Sequence, residues 1–236
     1  MKKIAIIPAR GGSKRIPKKN LKSFFGKPII SYAIELAIKS NIFDEIVVST
    51  DCQETAEVAV SYGAKVPFYR SIENSGDKAT IFKTLKEVLQ KFGNEGLNFE
   101  YGCCIFPISP LISNEVLSNG FEILKSNFNY DSLLPVGAYS HPIERSYMLE
   151  KNFNTLISNP EYQGTMTQDL PKRYFDTGQF YWFEINKILN DSNLITDKTY
   201  GLILNELQFQ DVDNYDDWEL LKLKYQYKQL NENKKK

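Results

Sequence analysis

Ile4-Ala5-Ile6-Ile7-Pro8-Ala9-Arg10-Gly11-Gly12-Ser13-Lys14-Arg15-Ile16-Pro17-Lys18-Lys19-Asn20 is the stretch from which both the fold and the chemistry can be read. Its first four residues are all apolar, the pattern of a short strand buried on both faces of a parallel sheet. A polar loop comes next, with five cations in ten residues: Arg10, Lys14, Arg15, Lys18 and Lys19. Paired glycines allow the backbone to approach an anion and turn its N–H groups inward. Arginine adds a planar fork for phosphate oxygens and lysine a point charge. Together these parts suit a polyphosphate. Two common phosphate motifs are absent. Gly26-Lys27 is followed by Pro28, so there is no GxxxxGK[ST], and there is no GxGxxG. A P-loop NTPase and a dinucleotide dehydrogenase are thereby disfavoured. The competing reading is a solvated basic loop. Its position at the end of a strand favours a ligand, because open α/β sheets bind ligands there.

Outward from this stretch, helical and strand patterns alternate. Helices are expected over Pro28–Lys39, Glu54–Tyr62 (ended by Gly63), Ile81–Phe92 and from an N-cap at Ser113 to Ser126. Strands are expected at Glu45–Thr50, Ala64–Tyr69, Gly102–Ile108 and Asp131–Val136. This alternation implies βαβ units, hence an α/β fold with a mostly parallel, Rossmann-like sheet flanked by helices. The loops after Pro8, Thr50 and Phe106 then surround one site. The pattern breaks over 138–171, which reads as an inserted arm, a β-hairpin in form. It resumes at Gln179–Phe183 and closes with a helix from Tyr215 to Leu230. Residues 1–230 are read as one domain and 231–236 as a polar tail that frays.

The chain has 236 residues, with 29 Lys plus Arg against 29 Asp plus Glu. That size buries enough surface to fold without disulfide or metal staples. The even charge balance disfavours nucleic acid as a partner. No apolar run is long enough to span a membrane, and the five apolar residues before Arg10 are too few for a signal peptide. Cys52, Cys103 and Cys104 have no CxxC spacing, which disfavours a zinc site and fits a reducing, cytoplasmic setting. His141 is the single histidine, so Ser-His-Asp catalysis has little material.

Asp211 and Asp213 stand two apart on a segment expected to be extended, Gln208–Val212, which would put both carboxylates on one side. Such a pair suits Mg²⁺, a hard cation that keeps several waters. The alternative is an Asp-rich turn capping the last helix. Gln179 and Tyr181 alternate with Phe180 and Trp182, so one pair is expected to face a pocket and the other the core. The alternative places all four in the core.

The loop Ala9–Asn20, placed directly after the first strand, resembles the signature of the sugar-nucleotide cytidylyltransferases, the CMP-N-acylneuraminate synthetases and their relatives. The resemblance continues through Gly26–Ile30, Ile46–Asp51 and Gly63–Arg70, and ends at Asp211-Val212-Asp213. It implies a nucleotide-diphospho-sugar transferase type of fold. It also implies transfer of CMP from CTP to the anomeric hydroxyl of a sugar acid, Mg²⁺ as cofactor, and a homodimer formed through the arm. By the resemblance, Ala9, Arg10, Gly11, Gly12, Ser13, Lys14 and Lys19 hold the triphosphate, and Asn20, Arg70 and Thr80 meet the cytosine. Arg10, Lys19, Asp211 and Asp213 carry catalysis, and the last two hold the metal. Read from the residues alone, Asn20 fits a helix-entry turn equally well, and Arg70 a surface ion pair with Glu73.

Asp176-Thr177-Gly178-Gln179-Phe180-Tyr181-Trp182 resembles the run found in pseudaminic acid cytidylyltransferases, and implies that Asp176, Gln179 and Tyr181 contact the sugar. Neuraminate enzymes usually carry Asn-Gly-Ala there. In their QPTSPLR stretch this chain has Phe106 for the Gln and Ile112 for the Arg. Pseudaminic acid is therefore the expected acceptor, with CMP-N-acylneuraminate or CMP-legionaminate synthesis as the alternative. A non-catalytic nucleotide-binding regulator is a third reading, in which the cationic loop and acidic pair would be idle.

Overall fold

Strand β1 (Lys3–Pro8) is apolar and buried from Ile4 onward because it lies inside a seven-stranded sheet with helices on both faces. The structure is a computed structural model and describes residues 1–233. After β1 come a small hairpin, β2 (Ser23–Phe24) and β3 (Lys27–Pro28), then α1 (Ile30–Ser40), β4 (Glu45–Ser49) and α2 (Gln53–Ser61). Next are α3 (Ile72–Ser75), α4 (Ile81–Asn94), β5 (Tyr101–Ile105), α5 (Asn114–Ser126) and β6 (Ser132–Ala138). A second hairpin, β7 (Tyr147–Leu149) and β8 (Thr155–Ile157), precedes β9 (Tyr174–Asp176), β10 (Phe180–Glu184) and α6 (Ile185–Asp191). The chain closes with β11 (Thr199–Ile203) and α7 (Tyr215–Asn233).

The sheet order is β11-β6-β10-β5-β1-β4, with β9 on β6. Strands β4, β1, β5, β6 and β11 run one way; β10 and β9 run against them. The α/β fold read from the sequence is thus present, with a reversed strand wedged into its middle. That reversal matters for the site. Because β10 is antiparallel to β5, its first residue, Phe180, pairs with Ile105 at the carboxyl end of β5. Gln179, one residue earlier, is thereby delivered to the edge where an α/β sheet binds ligands.

The alternation of strand side chains builds two cores. Ala5, Ile7, Val48, Cys103, Phe180 and Trp182 pack beneath α1 and α5, against Ala33, Ile34, Leu117 and Phe121. Ile4, Ile6, Val47, Cys104, Tyr181 and Phe183 pack on the other face, against Leu85, Val88 and Phe92 of α4 and Ile185 and Ile188 of α6. A third cluster joins Ile16, Phe24, Ile29, Ile108, Leu111, Val212, Trp218 and Leu221. It takes residues from four separate loops or hairpins and from α7, and it lies under the cationic loop.

Several expectations need correction. Ala64–Tyr69 is not a strand; only Lys65 bridges Val47, and Pro67 prevents a continuous ladder. The strand expected over Gly102–Ile108 stops at Ile105, just before Phe106-Pro107 turns the chain. The first helix starts at Ile30 rather than Pro28, because Ser23–Pro28 forms a hairpin. Its turn residues Phe25 (φ 47°) and Gly26 (φ 86°) are both left-handed, as a two-residue hairpin loop requires. The last helix runs on to Asn233 rather than fraying from Asn231, and residues 234–236 lie outside the described residues.

Candidate active site

The cationic loop leaves β1 pinned at several points. Ala9 N–H donates to Ser49 O (2.9 Å), extending the sheet one residue beyond β1. Gly11 N–H donates to Asp51 Oδ1 (2.8 Å). A Cβ at Gly11 would sit 2.8 Å from Cys52 Cβ, so glycine is required there by close packing. Asn20, which is buried, donates from Nδ2 to Arg10 O (3.0 Å) and closes the loop on itself. Lys18 adopts a left-handed conformation (φ 49°, ψ 37°) that turns the chain into the short 3-10 helix Lys19–Leu21. Ile16, alone apolar among the cations, is fully buried in the third cluster and anchors the loop from below.

The loop forms one wall of a cavity of about 470 Å³. Arg10, Ser13, Lys14, Arg15, Lys19 and Asn20 line it on one side. Phe106, Pro107 and Ile108 come from the loop after β5, Gly178 and Gln179 from the turn before β10, and Gln210, Asp211 and Val212 from the segment before α7. Asp77 reaches in from the loop before α4. The site therefore draws on loops that are far apart in sequence and share one edge of the sheet.

Lys19 sits at the centre of the charge distribution. It is half-buried and donates to Val212 O (2.7 Å). Burial lowers its pKa, against the pull of Asp211 and Asp213. Asp211 opens onto the cavity, and its carboxyl is held above the usual range, first by burial and then by Asp213. Asp213 lies outside the lining and pairs with Arg15 (2.6 Å). The expected strand alternation of the two carboxylates is not found. Residues 206–208 form a 3-10 turn and the following segment is irregular, so Asp211 faces the cavity and Asp213 its cationic rim. Helix capping falls instead to Asn214 and Asp217: Asp217 N–H donates to Asn214 Oδ1 (3.0 Å), and Asp217 Oδ2 accepts from the backbone of Asp213 and Asn214. A divalent cation fits this place. Asp211 offers oxygens to the cavity, and a hard cation there would offset the burial, and secondly the Asp213 charge, that raise its carboxyl. Among the described residues no cluster of three or more metal-ligating side chains occurs, so phosphate oxygens and waters would have to complete the shell.

On the opposite wall, Gln179 is buried; its Nε2 donates to Thr177 O (2.9 Å) and faces Gln210 O (3.5 Å). Two carbonyls around the nitrogen fix the orientation of the amide, and Oε1 is left without a partner. Tyr181 is not part of the lining. Its hydroxyl donates to Asp176 and its ring packs edge-on against Phe106, with centroids 5.2 Å apart. Asp176 also accepts from Gly178 N–H (2.8 Å), so both residues shape the turn that presents Gln179. Arg70 lies outside the lining as well. It is bound to Ser49 through its side-chain oxygen and carbonyl rather than to Glu73, and burial lowers its pKa. Thr80 caps α4 by accepting from Lys83 N–H and is likewise outside the lining. Ala9, Gly11 and Gly12 support the loop without lining the cavity.

The sequence places Arg15 among the cations of the loop and the loop after Phe106 at the site, but it does not mark Asp77, Gln210 or Val212 as lining residues. Ile16 among cations and Val212 between aspartates were the available signals, since an apolar residue in a charged run has to be buried somewhere.

Comparison with known proteins identifies the family. The sequence profile of the cytidylyltransferases matches residues 4–200. The chain is 35% identical over 225 residues to the pseudaminic acid cytidylyltransferase of Campylobacter jejuni, covering 95% of this chain and 97% of that one. It is 32% identical over 227 residues to the CMP-N,N'-diacetyllegionaminic acid synthase of Legionella pneumophila, covering 93% and 94%. In fold it is similar to a CMP:2-keto-3-deoxy-manno-octonic acid synthetase whose structure was solved with CTP, with a TM-score of 0.68 at 18% identity over 94% of this chain and 98% of that one. With a cationic strand-end loop facing an aspartate across one cavity, and with these relatives along nearly its whole length, the chain belongs to the cytidylyltransferase family.

Proposed function

We propose that this enzyme transfers CMP from CTP to the anomeric hydroxyl of a nonulosonic acid, pseudaminic acid foremost, and releases pyrophosphate. The observation that carries the reading is the single cavity in which Arg10, Lys14, Arg15 and Lys19 face Asp211. The reaction is an in-line displacement at the α-phosphorus. Positioning and charge neutralisation supply most of the gain. Arg10 and Lys14 bind the outer phosphates as forked and point charges. Lys19 spends one N–H on Val212 O and keeps two for phosphate oxygens. Asp211, with Asp213 beside it, would hold Mg²⁺, which would supply further charge neutralisation. The neutral wall of Phe106, Ile108 and Gly178 takes the sugar acid, and the unpartnered Gln179 Oε1 offers it an acceptor.

Pseudaminic acid is favoured by the Campylobacter relative and by the run from Asp176 to Trp182. The Legionella relative, nearly as similar over nearly the same length, supports legionaminic acid as the second reading. A pyrophosphate-release assay with CTP, Mg²⁺ and a panel of nonulosonic acids separates them. Turnover is expected with pseudaminic acid. Turnover of only legionaminic or N-acetylneuraminic acid overturns the first choice, and none with any nonulosonic acid overturns the class.

We read residues 1–230 as one nucleotidyltransferase domain with 138–171 as an arm that pairs two copies. The arm's hairpin exposes Tyr147, Met148, Leu149, Phe153 and Leu156, and apolar side chains gathered on one exposed element suit a protein contact. Light scattering is expected to give twice the chain mass, and the double substitution Met148→Asp with Phe153→Asp to give the monomer. A monomeric parent protein would rule the arm out as a pairing element. A cytoplasmic location, where CTP is made and thiols stay reduced, goes with this reading; among the described residues no helix is long and apolar enough to cross a membrane.

A further inference from the structure

Arg10 and Lys14 share a partner that the proposed mechanism does not use. Arg10 Nη1 donates to Asp77 Oδ1 (2.9 Å), and Lys14 Nζ donates to the other oxygen, Oδ2. One carboxylate thus bridges the two cations assigned to the outer phosphates, inside the same cavity. Both contacts are solvent-exposed, so they hold by charge and not by burial. The two cations in turn hold the Asp77 carboxyl below its usual range.

The chain around Asp77 is a short exposed turn between two fixed points. On one side, α3 is fixed to α4: Glu87 accepts from the backbone and hydroxyl of Ser71 and from Asn74 Nδ2. On the other, Thr80 is fixed as the N-cap of α4. Between these anchors lie Gly76, Asp77, Lys78 and Ala79, of which the first three are exposed and Gly76 has open space around it. Within the tether Ala79 N–H donates to Gly76 O (3.1 Å), a single turn that carries Asp77 on its exposed side.

We propose that Asp77 is a positioning residue that acts as a built-in anion: in the empty enzyme it gathers Arg10 and Lys14 over the cavity, and an incoming polyphosphate must displace it. The inference rests on the proposed use of Arg10 and Lys14 for a triphosphate. Entry of nucleotide is then an exchange of one anion for another on the same two cations. A monoanionic carboxylate loses that exchange to a polyphosphate, which carries more charge and more acceptor oxygens. It wins against chloride or a single weak anion, so the site stays closed to them. No covalent step is involved.

The test uses Asp77→Asn, which keeps the shape and removes the charge, with Asp77→Glu as the charge-restoring control. Inorganic tripolyphosphate, titrated calorimetrically at low salt, is the probe, since it needs neither cytosine nor sugar. Asp77→Asn is expected to bind it about fivefold more tightly than the parent, as removal of a competing ion pair partner predicts. Asp77→Glu is expected to return toward parent affinity. In turnover, Asp77→Asn is expected to lower KM for CTP by a similar factor and to leave kcat within about twofold, a split that marks loss of uniform binding competition. Unchanged or weaker tripolyphosphate binding by a folded Asp77→Asn overturns the proposal. So does a fall in kcat without a fall in KM, which would make Asp77 part of the chemical step. Failure of the CTP and sugar assignment would show separately, as absence of pyrophosphate release in the parent enzyme.

Discussion

Asp211→Asn is expected to lower kcat for pyrophosphate release by about 10³-fold while the protein keeps its fold, because a metal clamp on phosphate is worth several kcal/mol and 1.36 kcal/mol is tenfold in rate. Asp211 lines the cavity next to Val212, whose carbonyl accepts from Lys19, so its charge acts directly on that cation. Its raised pKa means that the charged form is less favoured in the folded chain than in the unfolded one. For a carboxyl shifted upward, the favourable contribution exists only while it is protonated and is lost as pH rises through the folded value. At neutral pH the charge therefore opposes folding slightly, and the neutral amide relieves that. The expected signature is lost activity with a melting temperature equal to or above that of the parent, and no rescue by added Mg²⁺. Asp213→Asn is expected to lose less, since Asp213 is outside the lining and already neutralised by Arg15 at 2.6 Å. A loss in Asp211→Asn below about tenfold would remove the metal role, given the size expected of such a clamp.

The strand Ile4–Ile7 and the loop after it were legible because both signals are local. Four apolar residues must be buried, and five cations next to them cannot be. The helices were legible for the same reason, as α4 shows with Leu85, Val88, Leu89 and Phe92 buried along one face. The reversal of β10 was not legible. Phe180 to Phe183 is equally apolar in a parallel or an antiparallel neighbour, and direction is set by where the chain returns from, after the long arm. Topology places the loop after Phe106 at the site, but which of its side chains line the cavity was not legible. Nothing local in Phe106-Pro107-Ile108 or Gln210 signals a cavity; they meet there because β5 and β10 pair with Ile105 opposite Phe180. Asp211 and Asp213 show how an expected geometry can fail while one of the two residues still reaches the cavity. Spacing of two implies one face only in a strand, and the chain before α7 is not one. Arg70 and Thr80 lie outside the cavity lining and make local bonds, to Ser49 and to Lys83 N–H.

Trp218→Ala is expected to destabilise the protein by about 3–5 kcal/mol and to lower its melting temperature by about 10 °C, from the usual effect of emptying a buried aromatic site in a chain of this length. Trp218 is 1% exposed, and its ring stands edge-on to Phe24 with centroids 5.5 Å apart. Its cluster is also what holds the site together. Ile16 comes from the cationic loop, Ile108 and Leu111 from the loop after β5, and Val212 from between the two aspartates. A cavity left by Trp218 would let these loops shift against one another, and a displacement of about 1 Å can reduce rate about 10²-fold. Stability and activity are therefore expected to fall together, even at temperatures where the variant is folded. Trp182 supplies the comparison. It is fully buried in the core under α1 and α5, donates from Nε1 to Leu117 O (3.0 Å) and stacks on Phe43, with no member of the third cluster among these partners. Trp182→Ala is expected to lose comparable stability and leave the folded enzyme's kcat within about twofold, since its contacts lie away from the reacting groups. Measuring kcat for both at about 10–15 °C, a range where hydrophobic cores keep most of their stability, after circular dichroism shows each to be folded, separates the two roles. Equal kinetic losses in the two variants would mean that the site depends on global stability alone, and that the third cluster has no special part in aligning Lys19 with Asp211.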